Sequence, residues 1–530
     1  PSSAASDVYK RQDGDDDNGR FSKDYNDITN MTWSNILTYQ TKIKKKHNLD
    51  LLAGYEINSK ESDGLGTTIS NFARWDKPEV NNGVVYQSMG GSNSTTRIVS
   101  YITRANYDYD NKYYLGASWR TDGSSRLARE NRWGNFWSLS GAWRVSSESF
   151  MKPLQNWLSD LKLRVSYGVN GTLPSSYYGY MGLSSLTSNY NDNPGIKQSQ
   201  LENKELTWET NYNFNSGIDL GFFDNRLNVT FEYYVRTTKN LLYSRPLSLA
   251  TGFSSYLANI GKLQNKGYEL EIRSTNIETK DFRWSTSLNL GHNANKILKL
   301  DGDLKQVTSG TSIHKVGLPY STYYMIEFAG IDPVDGEPMF YKNTTDENGN
   351  LNKETTKDPR SAEKVILQCA DPTITGGLGN SISYKWFDLN FNVNFSFGAW
   401  NYDGAAGKLE HGGDGTLNIP IYYRKRWQKE GDETSIERFV VGRSISMTDY
   451  ATTRRLYSGD YVRLKNLTFG FTLPKTWTRK VGIDNIRLYA SGNNLLTWAA
   501  YDYIDPESGS SPSWDTPPMR TYTFGLEVKF

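Results

Sequence analysis

The sequence is poor in the residues that carry much of enzyme and scaffold chemistry. Across 530 residues there is one cysteine, Cys369, and there are four histidines. A lone thiol excludes a disulfide framework. His47, His292, His314 and His411 show neither HxH nor HxxxH spacing, so no histidine pair suggests a metal centre and no cofactor is expected. Net charge is nearly absent: 60 Lys and Arg face 58 Asp and Glu, giving +2, without the basic excess of a nucleic-acid binder. No stretch approaches the roughly 18 consecutive apolar residues of a membrane-crossing helix. Nucleophile elbow, phosphate-binding loop and dinucleotide fingerprint are missing from any strand-to-helix context, and no enzyme activity is expected. Asp13, Asp15 and Asp17 resemble a calcium loop, but Asn18 stands where glycine is required and no helices flank it.

Aromatic residues, by contrast, are plentiful: 36 Tyr, 21 Phe and 15 Trp make up 14% of a chain that is only 37% hydrophobic. That content excludes disorder. The mean hydropathy of −0.66 does not exclude a membrane β-barrel, whose strands alternate apolar and polar residues and average out as hydrophilic.

Period-two alternation runs along the chain. Leu206, Trp208, Tyr212, Phe214, Ile218, Leu220 and Phe222 alternate with Asn211, Asn213, Asn215 and Asp219. After a turn at Asp224–Asn225 the parity reverses, with Leu227, Val229, Phe231, Tyr233 and Val235 opposing Asn228, Thr230, Glu232 and Arg236. About sixteen such strands are expected, many longer than the five or six residues usual in soluble sheets. Their connections alternate in length. Short ones fall near residues 44–46, 110–111, 224–225, 278–280 and 385; long ones at 59–95, 171–204, 241–264, 296–372, 400–459 and 499–519. Sorting of that kind marks an up-and-down transmembrane barrel with tight periplasmic turns and long extracellular loops. The expected class is therefore all-β, an antiparallel up-and-down transmembrane β-barrel. Trp208, Tyr233, Tyr461 and Tyr522 sit toward strand ends, where an interfacial girdle is expected.

Five segments then become recognisable: Asn203–Asn215 (NKELTWETNYNFN), Asn259–Ile272 (NIGKLQNKGYELEI), Ser458–Pro474 (SGDYVRLKNLTFGFTLP), Ile486–Thr497 (IRLYASGNNLLT) and Pro518–Phe530 (PMRTYTFGLEVKF). In this order they resemble the SusC/RagA family of TonB-linked outer-membrane proteins. The resemblance implies a 22-stranded barrel with an N-terminal plug, energy from TonB, and a SusD-like surface lipoprotein closing over the mouth. It implies import of oligosaccharides or peptides across the bacterial outer membrane. Against that pattern the chain reads as the C-terminal part of a barrel, about sixteen of 22 strands, without a plug. Residues 1–30 are expected to be an irregular segment, open to being non-native at Pro1–Gln12, and residues 31–530 the barrel. A passive porin-type channel and a non-transporting extracellular β-rich binding protein remain the alternatives.

Three groups of residues are candidates for function. Loop aromatics Tyr177, Tyr178, Tyr323, Tyr324, Trp400, Tyr402, Tyr422, Tyr423, Trp427 and Trp514 offer flat faces with polar edges, suited to sugar stacking, to lid contact, or simply to packing loops together. Polar strand positions Asn211, Asn213, Glu232, Arg236, Asn390 and Asn392 are expected to face the lumen. The final strand, with Tyr522, Phe524, Leu526, Val528 and Phe530, resembles the signal read by barrel-assembly machinery, and its apolar face is expected to meet outer-membrane lipid.

Overall fold

The computed structural model describes residues 18–74, 76–190, 193–300, 304–346, 350–413, 418–442, 450–501, 503–508 and 518–530. Among them, fifteen strands join in one sheet, against the sixteen or so expected. They are β1 (Arg20–Ile43), β2 (His47–Phe72), β3 (Gly83–Tyr109), β4 (Tyr113–Ser124), β5 (Trp133–Arg144), β6 (Leu158–Thr172), β7 (Glu209–Phe222) and β8 (Leu227–Lys239). The sheet continues through β9 (Lys262–Glu278), β10 (Phe282–Lys299), β11 (Ile374–Tyr384), β12 (Phe387–Phe397), β13 (Tyr461–Thr472), β14 (Asn485–Ala499) and β15 (Thr521–Lys529). Spatial order follows chain order throughout, and no pairing joins β1 to β15 among the described residues. No helix there is long and apolar enough to cross a membrane.

The strands and their connections divide into two compact units. The first comprises Pro1–Gly141, Ser166–Tyr212 and Thr238–Ile260. Its longest strands pair from Ile43↔His47 to Arg20↔Ser70 and from His47↔Tyr109 to Phe72↔Gly83. The β1–β2 turn is made by Lys44 and Lys45 at φ 48° and 59°. Two corrections follow. The irregular segment expected over residues 1–30 gives way to strand at Arg20, and the long connection expected at 59–95 shrinks to residues 73–82. Ladder bonds hold these stretches extended although Asp24, Asn26, Asp27, Asp63 and Ser92 interrupt any apolar face. Alternation disappears where neither face is buried, but pairing does not require it.

The second unit comprises Ala142–Val165, Asn213–Thr237 and Gly261–Phe530. Register shows its logic. Ile272, Leu288, Leu378, Val393, Leu464 and Leu496 stand opposite one another across six strands, β9 to β14. The next row is Arg273, Ser287, Gly379, Asn392, Asn466, Asn493 and Thr521. Successive side chains point to opposite faces, so one face is apolar and the other polar. The apolar face is bare: Phe469, Leu496, Phe524 and Leu526 are 49%, 49%, 82% and 63% exposed. Apolar area on that scale is stable only against another apolar phase.

On the polar face, glycine makes room for an ion pair. Arg487 donates from Nη2 to Asp388 Oδ2 at 2.7 Å and from Nε to Oδ1 at 3.2 Å, spanning β13 between them. The pair passes over Gly470, where an added Cβ would lie 2.3 Å from Asp388 Oδ1 and 2.6 Å from Arg487 Nη2. Gly470→Val is expected to cost about 1–3 kcal/mol through overpacking and the lost pair. On an unheated detergent gel the compact, fast-migrating fraction should fall; an unchanged fraction would show that the pair rearranges freely.

Candidate ligand-facing surface and loop cluster

The polar face of the second unit is organised by arginine. Arg164 on β6 donates to both Asp219 oxygens, at 2.9 and 3.1 Å, and to Glu232 Oε1 at 2.6 Å. Thr230 donates to Asp219 at 3.1 Å and Asn215 to Glu232 at 3.2 Å. Gly217 lies beneath, where an added Cβ would lie 3.0 Å from the guanidinium carbon. Two of the cavities among the described residues open on this unit. The larger, about 980 Å³, is lined by Glu232, Glu269, Asn289, Asn394, Ser396 and Tyr461 among others. The smaller, about 320 Å³, takes in Arg226, Asn228, Asn380, Asn390 and Asn392.

Of the six polar strand positions singled out from the sequence, Glu232, Asn390 and Asn392 thus reach these cavities. Asn211, in the first unit, is fully buried, donating to Thr172 at 3.1 Å and accepting from Thr238 at 2.7 Å. Asn213 and Arg236 share strand parity with Asn211 and Glu232 respectively, and both have polar partners.

Most of the loop aromatics are engaged by the protein itself. Arg126 stacks 4.4 Å over the Tyr177 ring, and the Tyr178 hydroxyl accepts from Thr95 N at 3.0 Å. Tyr323 is 3% exposed, and Tyr324 donates its backbone N–H to Thr311 O at 2.7 Å. Trp400 and Tyr402 flank Asn401 in a short ladder against Leu456–Ser458. The Trp427 indole donates to Pro333 O at 3.0 Å, with its ring 2.5 Å from where a Cβ on Gly336 would be. Trp514 lies outside the described residues, as do Asp13, Asp15 and Asp17. Two girdle expectations are corrected. Trp208 is buried against Phe136 at 5.2 Å, and Tyr461 lines the larger cavity, on the parity opposite Leu464 and so away from the bare face.

What sequence reading missed is the buried ion cluster beneath these loops. Arg454 pairs with Glu437, which is fully buried, and lies 3.7 Å from Glu410; Arg455 reaches Glu410 at 3.2 Å. Tyr423 donates to Glu437 at 2.9 Å and Tyr422 to Glu410 at 2.6 Å. Burial, together with these carboxylates, pushes both phenols far above their usual range. Burial opposes the Arg454 charge, but Glu437 and Glu410 more than offset it. Alongside, Asp403 accepts from Ala406 N at 2.7 Å and from the Tyr501 hydroxyl at 3.1 Å, while Tyr501 stacks on Tyr457 at 3.7 Å. Arg463, 2% exposed, clamps Asp505 and Glu507 at 2.6 and 2.7 Å, which accounts for two carboxylates whose spacing in the sequence is unremarkable. Separations of 17 to 45 residues between partners leave no periodic signal. Among the described residues no group of histidine, cysteine or carboxylates could hold a metal ion.

An ordered series of long strands, polar and cavitied on one face and bare and apolar on the other, defines the wall of an outer-membrane β-barrel. The chain matches the family "TonB dependent receptor-like, beta-barrel" over residues 2–495, and it belongs to that family. It is 33% identical to TonB-dependent receptor P3 of Formosa agariphila over 97% of this chain and 53% of that one. It is 30% identical to TonB-dependent receptor SusC of Bacteroides thetaiotaomicron, over 82% of this chain and 44% of that one. The RagAB peptide transporter structure superposes with a TM-score of 0.84 at 28% identity, covering 97% of this chain and 56% of that one. The chain therefore spans about half the length of the relatives it matches, is of SusC/RagA type, and has its place in the bacterial outer membrane. The family is one of receptors and transporters rather than enzymes.

Two measurements test the loop chemistry. Glu437→Ala takes the nearer carboxylate from buried Arg454 and leaves it only Glu410 at 3.7 Å, at a cost of up to about 3–5 kcal/mol; limited proteolysis within residues 400–459 should accelerate, and an unchanged cleavage rate would show the cluster to be dispensable. Burial pushes the Cys369 thiol above its usual range, so at pH 8 less of it is the reactive thiolate. Maleimide should label this single cysteine slowly at pH 8 and faster as pH rises toward 10; free-thiol kinetics at pH 8 would contradict the burial.

Proposed function

We propose that the protein is the barrel wall of an importer that carries oligosaccharides or peptides across the outer membrane, energised through TonB and closed outside by a SusD-like surface lipoprotein. The observation that carries this reading is the family match over nearly the whole chain, joined to the RagAB superposition. The polar face, with Asn211, Asn213, Glu232, Arg236, Asn390 and Asn392, lines the path. Loop aromatics left partly exposed, such as Tyr324 and Tyr422, meet cargo or lid. The bare face of β15, with Tyr522, Phe524, Leu526 and Val528, meets outer-membrane lipid and, with Phe530, serves the barrel-assembly machinery as a signal. Neither cofactor nor nucleic acid takes part.

The test is uptake by cells carrying the whole gene or a deletion of it, with labelled oligosaccharides in one arm and peptides in the other. Uptake of one class is expected, abolished by the deletion and by a protonophore. Uptake that survives the protonophore would favour a passive porin-type channel, and failure of the protein to fractionate with outer membranes would favour a soluble binding protein. Asn392→Trp should slow uptake while leaving the amount of barrel in the membrane unchanged. Equal uptake would show that the polar face is not the path.

A further inference from the structure

The short connections at one edge of the second unit form a continuous rim. Lys385 N–H donates to Asp281 O and Thr472 N–H to Trp386 O, each at 2.7 Å, so the β9–β10, β11–β12 and β13–β14 connections are stitched side by side. Just inside this rim the strand ends are aromatic on the apolar face. Phe282 and Tyr384 lie 6.5 Å apart, and Phe387 packs on Phe469 and Phe471 at 5.8 and 4.9 Å. A band of rings at the end of a bare apolar face marks the level where hydrocarbon gives way to headgroups.

Beyond the band the rim is cationic. Lys280, Lys385, Arg479 and Lys480 are exposed and have no carboxylate partner among the described residues. Of the acids there, Glu278 lies 3.8 Å from Arg283 and Asp484 lies 3.4 Å from Lys475, which leaves Asp281 opposite the four. The Lys385 ammonium bends back to 5.4 Å from the Tyr384 ring, toward the apolar side. Trp477 is 60% exposed, on a short helix anchored by buried Pro474 and Thr478. An exposed indole beside unpaired cations suits neither a soluble polyanion nor plain water.

We infer that this rim binds the headgroup of an anionic phospholipid, its phosphate held by Lys385, Arg479 and Lys480 and its glycerol and upper chains by Trp477 and the aromatic band. The inference rests on the membrane placement of the barrel and not on what the barrel carries. Phosphate oxygens accept charge-assisted hydrogen bonds from both cation types, and the neighbouring apolar phase raises the value of each. The short turns of an outer-membrane barrel face the periplasm, so the leaflet concerned is the periplasmic one.

Native mass spectrometry of the detergent-extracted chain, equilibrated with an equal mixture of phosphatidylglycerol and phosphatidylcholine, tests this directly. Preferential retention of phosphatidylglycerol is expected. Lys385→Gln, Arg479→Gln and Lys480→Gln should each lower that preference by roughly fivefold, and Trp477→Ala should lower retention of both lipids. Compact migration on an unheated gel confirms that each variant is folded. Inorganic phosphate at millimolar concentration should leave the lipid in place. Equal retention of the two lipids, an unchanged preference in the triple glutamine variant, or displacement by inorganic phosphate would each overturn the inference, the last by showing a simple anion site.

Discussion

Every other property of the wall depends on the backbone ladder between chain neighbours. In hydrocarbon no water satisfies an N–H or C=O, and each group left unpaired costs several kcal/mol. Sequential antiparallel pairing satisfies both sides of every interior strand with the shortest connections available, and it leaves the side chains free to differ between faces. Leu288 and Ser287 are covalent neighbours yet belong to rows of opposite chemistry. Within that ladder the sheet can spend its polar face on function without weakening its hold on lipid.

Charged groups on the polar face are placed by removing side chains around them. Arg164 lies over Gly217 and Arg487 over Gly470, each reaching a carboxylate on another strand. A guanidinium is planar and its fork matches a carboxylate, so a bare stretch of strand lets the pair lie flat against the wall. The pairs tie strands together beyond the ladder while keeping the surface smooth.

The strand core was legible in the sequence because one face must be apolar and the period is two; the Leu206–Phe222 and Leu227–Val235 runs show this plainly. Residues 59–68 and 83–95 were not legible as strand, because with neither face buried nothing selects alternation, and pairing keeps them extended up to the small core of Phe21, Ile69 and Phe72. Polar-face positions such as Glu232 and Asn392, which line the two cavities, could be picked by parity. The Arg454–Glu437 core could not, since a compact loop buries its charges by folding back on itself and writes no repeat. Aromatic residues were ambiguous for a physical reason: a tyrosine that suits a ligand also suits a buried carboxylate, as Tyr423 shows.

The segments 296–372 and 400–459 are sewn to each other rather than only to the sheet. Trp427 and Gly431 both donate to Pro333 O, Arg438 holds Glu337, and Phe328 N–H donates to Thr453. Two insertions so joined cannot drift independently over evolutionary time. A substitution at Pro333 or Gly336 alters the seat of Trp427, and new sequence in one segment must be matched in the other. The two segments are thereby coupled as one unit that stands on the ladder, so a change to either is felt by both while the strands beneath are left unchanged.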